Sequence, residues 1–171
     1  MARFDATSAE CVVLVFKEGL LSKVAHDLKF RATDLSIEVD GETVTARFGA
    51  AGLRVLCVMR GGVEAEAPSA RDKREIEQNL RDKVLEAQRY PEIRFRSTAL
   101  RQEAGLARVE GTLWLHGVER ALSLTAKAEG ALWTAEVELF QPDFNIKPFS
   151  ALLGTMKVKP AVRVRVRVPR T

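Results

Sequence analysis

Towards its end the sequence reads Val162-Arg163-Val164-Arg165-Val166-Arg167-Val168. Valine and arginine alternate here without interruption, and successive side chains of a β-strand point to opposite faces of the sheet. A period of two therefore predicts a strand with one apolar face and one charged face. Such one-sided strands are typical of antiparallel sheets, in which one face packs on the core and the other meets solvent.

Shorter segments of this kind recur along the chain. Apolar runs that alternate or are rich in β-branched residues occupy residues 11–16, 30–39, 44–48, 53–58, 93–97, 109–115, 122–126 and 133–139. Asp40-Gly41 has the composition of a hairpin turn. Gly49 and Gly52 indicate a bend or a bulge between two of the runs. About eight strands with short links predict an antiparallel sheet closed into a barrel.

One segment has a helical period instead. Ile76, Leu80 and Val84 recur every four residues among charged neighbours, which predicts one amphipathic helix or two short ones. Ser69, with Asp72 three residues later, resembles a helix N-cap. The helix should end before Tyr90-Pro91, since proline disfavours helix in the residue before it. We expect it to cover the sheet as a lid or plug.

Length and composition limit the class of protein. A chain of 171 residues fits one domain, which we expect to span residues 1–171. With 46% hydrophobic and 29% charged residues, disordered and collagen-like proteins are excluded. No stretch approaches the roughly 18 apolar residues of a membrane span, and residues 1–5 lack the apolar core of a leader. We therefore expect a cytoplasmic protein, or a periplasmic one if a leader was removed.

The net charge of +4 is unevenly distributed, because residues 141–171 carry seven basic side chains and one acidic side chain. A basic stripe can bind an anionic surface or nucleic acid, and the same charges can instead prevent strands from pairing edge to edge. The stripe lacks aromatic residues on which bases could stack. We therefore expect no nucleic-acid partner. The residues of the basic C-terminal stripe are Lys157, Lys159, Arg163, Arg165 and Arg167.

The residues that most often carry catalysis or bind metal are few. Cys11 and Cys57 lie in apolar runs, where free cysteine usually packs as a small hydrophobe. His26 and His116 have no cluster of partners at ligand spacing, whereas a zinc site needs three or four ligands. His26-Asp27 could form an orienting pair, but no nucleophile elbow accompanies it. We expect structural histidines, no metal, no cofactor and no enzymatic activity.

Trp114 indicates a covered patch on the outer wall. The period of two places Thr112, Trp114 and His116 on one face of a strand and Leu113 and Leu115 on the other. If the leucines point inward, Trp114 points outward. A subunit contact, a loop or the protein's own helix would then cover it.

Three segments resemble the YceI-like family. Tyr90–Thr98, which reads YPEIRFRST, is similar to the family's Y-P-x-I-x-F-x-S-T segment. Gly111–Val118, which reads GTLWLHGV, is similar to its G-x-L-T-I-x-G-V segment, with Trp114 where threonine is usual. Asp143–Ile146, followed by Leu153-Gly154 and the alternating last strand, resembles its terminal block, with Asn145 in place of a glycine.

The resemblance implies a lipocalin-like, extended β-barrel whose tunnel binds a polyisoprenoid chain, such as an isoprenoid quinone or a prenyl phosphate. It also implies homodimers, which are common in that family. The chain would then carry or sequester the lipid without catalysis.

Strand parity selects the side chains that would form the tunnel wall. An eight-stranded barrel has an interior that side chains either fill or leave open for one ligand, so each of these residues could equally be ordinary core. The candidate ligand-binding residues are Ile37, Val39, Phe95, Leu113, Leu115, Leu122, Leu124, Val137, Val164 and Val166.

Overall fold

The regular structure is almost entirely β-strand, as the alternation predicts. The computed structural model describes residues 1–18, 26–151, 154 and 156–171, so Leu153 lies outside the described residues. The strands are β1 (Ala2–Asp5), β2 (Glu10–Lys17), β3 (Asp27–Ala32), β4 (Leu35–Asp40), β5 (Thr43–Gly49), β6 (Leu53–Arg60), β7 (Val63–Glu64), β8 (Glu92–Glu103), β9 (Leu106–Leu115), β10 (Val118–Glu129), β11 (Leu132–Phe140), β12 (Ser150–Ala151) and β13 (Met156–Pro169). Helix α1 (Ala70–Asn79) continues as a π-helical turn, Leu80–Val84.

The strands form one curled antiparallel sheet. Its hydrogen-bonded order is β1-β4-β5-β8-β9-β10-β11-β13-β2-β3-β6-β7, and β12 pairs with β13. β3 continues into β4 across Thr33 and Asp34, and β5 continues into β6 across the 3₁₀ turn Ala50–Gly52. This long bent hairpin pairs with β2 through β3 and with β8 through β5. It therefore joins the two sides of the sheet and closes the barrel.

The expected number of eight strands requires a correction, because the described residues form thirteen. The two bends account for the difference. If β3–β4 and β5–β6 are each counted as one bent strand, they form an eight-membered wall together with β2, β8, β9, β10, β11 and β13. The remaining strands β1, β7 and β12 are short additions of two to four residues.

Gly49 and Gly52 lie at the bend, as predicted. The ladder continues across it, because the Thr33 N–H donates to the carbonyl of Gly52 (2.9 Å) and the Gly49 N–H donates to the carbonyl of Asp34 (3.0 Å). A Cβ on Gly49 would collide with the carboxylate of Asp34. A larger residue at position 49 would therefore displace this carboxylate, which pairs with Arg47.

Helix α1 begins where the sequence predicts. The Asp72 N–H donates to Oγ of Ser69 at 3.1 Å, which caps the first turn. The Val55 N–H, on β6, donates to Oε1 of Glu77 at 3.0 Å. The helix thereby satisfies a backbone donor on a sheet edge. Neither α1 nor the other helical turns of the described residues is long and apolar enough to cross a membrane.

The placement of His116 on a strand face was wrong. His116 and Gly117 form the β9–β10 turn with φ values of 53° and 73°, a left-handed pair typical of two-residue hairpins. The buried ring lies 3.0 Å (Nδ1) from the carbonyl oxygen of Phe144 and 2.7 Å (Nε2) from Oε2 of Glu86. His116 is a structural contact between the hairpin and two loops.

Trp114 points outward and is half-buried, as expected from its parity with Leu113 and Leu115. Within the chain, a neighbouring strand contributes to its cover, and a subunit contact remains a prediction. The guanidinium of Arg94, on the neighbouring strand β8, lies 5.3 Å from the centre of a Trp114 ring. Such a cation–π contact places the guanidinium over one face of the ring.

Candidate functional site

The barrel is hollow. A cavity of about 1280 Å³ extends along its interior and is bounded by the inward side chains of the strands and by one face of α1. Ten residues were predicted for this wall, and all ten lie on it: Ile37, Val39, Phe95, Leu113, Leu115, Leu122, Leu124, Val137, Val164 and Val166. That these residues contact a ligand remains a prediction.

The accessible surface of these wall residues distinguishes an empty interior from a packed one. Ile37, Phe95 and Leu113 are buried. The other seven are only half-buried although they point inward: Val39, Leu115, Leu122, Leu124, Val137, Val164 and Val166. In a close-packed core the atoms of the opposite wall would cover them. Their remaining accessible surface therefore faces open space in the barrel.

Apolar clusters border the cavity and leave its centre free. One contains Phe95, Leu113, Leu85, Phe144 and Ile146, which join β8 and β9 to the segments after α1 and β11. The other joins β1 to the bent hairpin and β2, through Phe4, Cys11, Ala32, Leu35 and Ile37. These clusters pack beside the cavity and stabilise the shape of its wall.

Sequence reasoning missed several wall residues. Trp133 lies on the wall and shares the parity of Val137, so the same rule would have found it. Ile76, Leu80 and Val84 also lie on the wall, which agrees with the predicted lid. Phe4, Val13, Phe30, Ala46, Phe48 and Val109 are further wall residues.

The two ends of the cavity differ chemically. The end beside α1 contains all the charged side chains of the described wall, namely Lys17, Glu66, Asp72, Glu75, Lys83 and Lys157. His26 lies at this same end. The opposite end is formed by Gly41, Gln102 and Thr171, among apolar neighbours. The wall is therefore apolar along its length and charged at one mouth.

Cys11 and Cys57 are both buried, in agreement with a packing role. Burial raises the pKa of the Cys11 thiol, which faces the cavity, to about 12. Burial also raises the pKa of Cys57. Both thiols are therefore neutral near pH 7, and neutral thiols are poor nucleophiles. Among the described residues, no group of three or more His, Cys, Asp or Glu could hold a metal ion.

The three arginines of the basic C-terminal stripe lie near two carboxylates. Arg163 Nε lies 3.5 Å from Oε1 of Glu136. Arg165 and Arg167 lie 3.9 Å and 3.7 Å from Oε1 of Glu10. Carboxylates on β11 and β2 thus flank the arginines of β13 on both sides. This arrangement does not favour the use of the stripe as a surface for anions.

A hollow antiparallel barrel with an apolar wall defines a lipocalin-like barrel protein. Of the three segments quoted from the sequence, the first leads into β8 and the second lies on β9 with its turn. The described part of the third lies at the 3₁₀ turn Gln141–Phe144 and on β13. The model of the YceI-like domain matches residues 4–169. The chain belongs to the YceI-like family.

Solved structures show the same fold at low sequence identity. BcnA of Burkholderia cenocepacia is 14% identical, with a TM-score of 0.66 over 95% of this chain and 96% of that chain. A polyisoprenoid-binding domain of Saccharophagus degradans, implicated in plant cell wall breakdown, is 12% identical, with a TM-score of 0.59 over 95% and 94%. A mutant of the Campylobacter jejuni YceI protein is 14% identical, with a TM-score of 0.56 over 83% and 84%. No curated protein matches this chain.

Proposed function

We propose that the chain is a non-enzymatic carrier or sequestering protein that holds an isoprenoid-type lipid in its barrel, with residues 1–171 acting as one domain. The observation that carries this proposal is the apolar cavity of about 1280 Å³. Half-buried branched side chains, such as Val137 and Val164, face it. An isoprenoid tail is a string of branched apolar units, and its chemistry matches that wall.

The size of the cavity suits a long tail. At about 30 Å³ for each water-sized group, the volume admits on the order of forty non-hydrogen atoms, or roughly eight five-carbon units. Burial of each CH₂ contributes about 0.8 kcal/mol. A tail of several units therefore binds without a charged anchor, and the polar head group stays at the charged mouth beside α1. An isoprenoid quinone and a prenyl phosphate both fit this description.

The Saccharophagus degradans neighbour, described as polyisoprenoid-binding, supports the proposal because it has the same fold. Homodimer formation and a cytoplasmic location remain predictions from the sequence.

The direct test is to identify the cargo. The purified protein is extracted with organic solvent, and the extract is examined by mass spectrometry for prenyl lipids. We expect a prenyl lipid in an amount comparable with that of the protein. A lipid-free extract, together with no uptake of added isoprenoid quinone by the extracted protein, would contradict the proposal.

A further inference from the structure

Helix α1 and the π-helical turn after it carry their charges on separate faces. Asp72, Glu75 and Lys83 lie on the wall of the cavity mouth, and Glu77 bonds to β6. On the opposite side, four exposed residues follow one another at spacings of three, four and three. Such spacings place side chains on one face of a helix. We name this face the outer stripe, and its residues are Arg71, Arg74, Gln78 and Arg81.

The outer stripe contributes little to holding the fold together. Arg81 pairs with its neighbour Asp82 at 3.0 Å. Arg71 and Arg74 form no ion pair with any residue that the structure describes. No residue of α1 is fully buried. Two guanidinium groups are therefore available to a partner outside the chain.

The outer stripe also lies directly behind the opening of the cavity. The inner face of the same helix, through Ile76, Leu80 and Val84, forms part of the cavity wall. A partner on the outer stripe would be separated from the cavity only by the thickness of one helix. Arg71 and Arg81 are ten residues apart, which corresponds to about 15 Å at the rise of an α-helix.

We propose that the outer stripe docks this protein onto an anionic lipid bilayer, so that the cavity mouth lies beside the head groups from which cargo enters. This inference rests on the proposed function, because a carrier of membrane lipid must load at a membrane. Charge complementarity supports it, since basic residues on a helix face are attracted to anionic lipid surfaces. The outer stripe has no aromatic residue to stack on a nucleic-acid base.

The test measures binding to vesicles directly. The full chain is sedimented at low salt with vesicles of equal parts phosphatidylcholine and phosphatidylglycerol, and in parallel with vesicles of phosphatidylcholine alone. We expect binding only to the anionic vesicles. Binding should fall as salt rises, because the Debye length shortens from about 30 Å at 0.01 M to about 10 Å at 0.1 M.

The variant Arg71→Gln/Arg74→Gln removes two charges from the outer stripe. Each basic residue near an anionic surface contributes about 1 kcal/mol, or roughly a factor of five. We therefore expect the partition coefficient to fall about thirtyfold. The matched control, Arg101→Gln/Arg108→Gln, removes two exposed charges from paired positions on the β8–β9 hairpin, at the other end of the barrel. We expect the control to bind within about twofold of the unaltered protein.

Several outcomes would overturn the docking proposal. These are equal binding to both kinds of vesicle, an equal loss in the control variant, or unchanged binding by Arg71→Gln/Arg74→Gln with its circular dichroism spectrum preserved. If that double variant does not fold, salt-independent binding of the unaltered chain is the contradicting result. Duplex DNA that displaces the vesicles through the same two arginines would identify a nucleic-acid surface instead.

The docking proposal and the proposed function fail in different measurements. Prenyl lipid in the solvent extract without vesicle binding contradicts docking alone. Vesicle binding with a lipid-free extract and no uptake of quinone contradicts the carrier function, while the outer stripe remains a membrane-binding face.

Discussion

Val137 lies on β11 with its side chain in the cavity, whereas its neighbour Glu138 is exposed on the outer wall. Extra volume at Val137 enters open space, so it should be tolerated better than in a packed core, where added methylenes typically cost 1–3 kcal/mol. The two adjacent positions therefore offer a matched pair of substitutions that separates blockage of the cavity from a general effect on the protein.

We expect Val137→Trp to lower the amount of extractable prenyl lipid at least tenfold, because the indole occupies the path of the tail. Its unfolding midpoint in urea should stay close to that of the unaltered chain. Glu138→Trp, which adds the same group to the outer wall, should retain its lipid. Equal lipid content in both variants would show that the tail lies elsewhere.

The Cys11 thiol allows a chemical test of burial. Its pKa is raised by burial from 9.0 to about 12, so the thiolate fraction at pH 8 falls from about one in ten to about one in ten thousand. We expect iodoacetamide to alkylate Cys11 roughly a thousandfold more slowly in the native protein than in urea, as followed by peptide mass spectrometry. Comparable rates in both states would contradict the buried placement of Cys11.

At the scale of elements, His116 joins three segments that are distant in sequence. It begins the β9–β10 turn, contacts Glu86 after α1, and contacts the Phe144 carbonyl in the 3₁₀ turn Gln141–Phe144. The ring of Tyr90 packs on it, with 4.4 Å between ring centres. These contacts fix the segments that border the cavity near α1.

We expect His116→Asn to lower the free energy of unfolding by about 2 kcal/mol in urea titrations. Asparagine tolerates the left-handed turn, so the loss reports the two hydrogen bonds of the ring rather than backbone strain. Thr112→Ala, on the outer face of β9, serves as the control and should cost less than about 1 kcal/mol. If the His116→Asn variant is as stable as the unaltered chain, the contacts of His116 do not hold the three segments together.

Glu77 attaches α1 to the edge of β6 through the Val55 N–H. We expect Glu77→Ala to speed hydrogen exchange of the α1 amides about tenfold, because a hydrogen bond to a charged group contributes about 1.5–3 kcal/mol. Gln78→Ala, one residue further along and exposed, should leave exchange nearly unchanged. Equal exchange in the two variants would mean that other contacts hold α1 in place.

The β-strands could be predicted from the sequence where one face of the strand meets solvent, because polar and apolar residues then alternate. In β13 the arginines point outward, so the period of two is plain. In β2 it fails, because Val12 is fully buried on the outer face while Cys11 and Val13 face the cavity. The turn at His116, with its left-handed φ of 53°, was missed because His-Gly is not among the dipeptides, such as Asn-Gly and Asp-Gly, that usually signal a two-residue hairpin.

At the scale of the whole molecule, the barrel closes through one bent hairpin. Strand parity gave the direction of each wall side chain, and all ten candidates lie on the cavity. Parity could not show whether opposite walls meet, since this depends on the barrel circumference, which the bends beside Gly49 and Gly52 help to set. The structure was therefore needed to show that the barrel contains a cavity.

Residues at both ends of the cavity are exposed, with Asp72 and Glu75 at one end and Gly41 and Thr171 at the other. We expect prenyl quinones of increasing tail length to bind with affinity that rises and then levels off, because surplus units project from the far end. Fluorescence titration against a series of tail lengths measures this. A sharp loss of affinity beyond one length would indicate a closed end.

An opening at the far end, which the titration tests, would have a consequence for the flow of water through the tunnel. Water displaced by an entering hydrocarbon chain could leave through the far end. It would not have to pass the chain inside the tunnel. The lipid could then enter and leave without any separation of the strands. Only the segment beside the entrance would have to move.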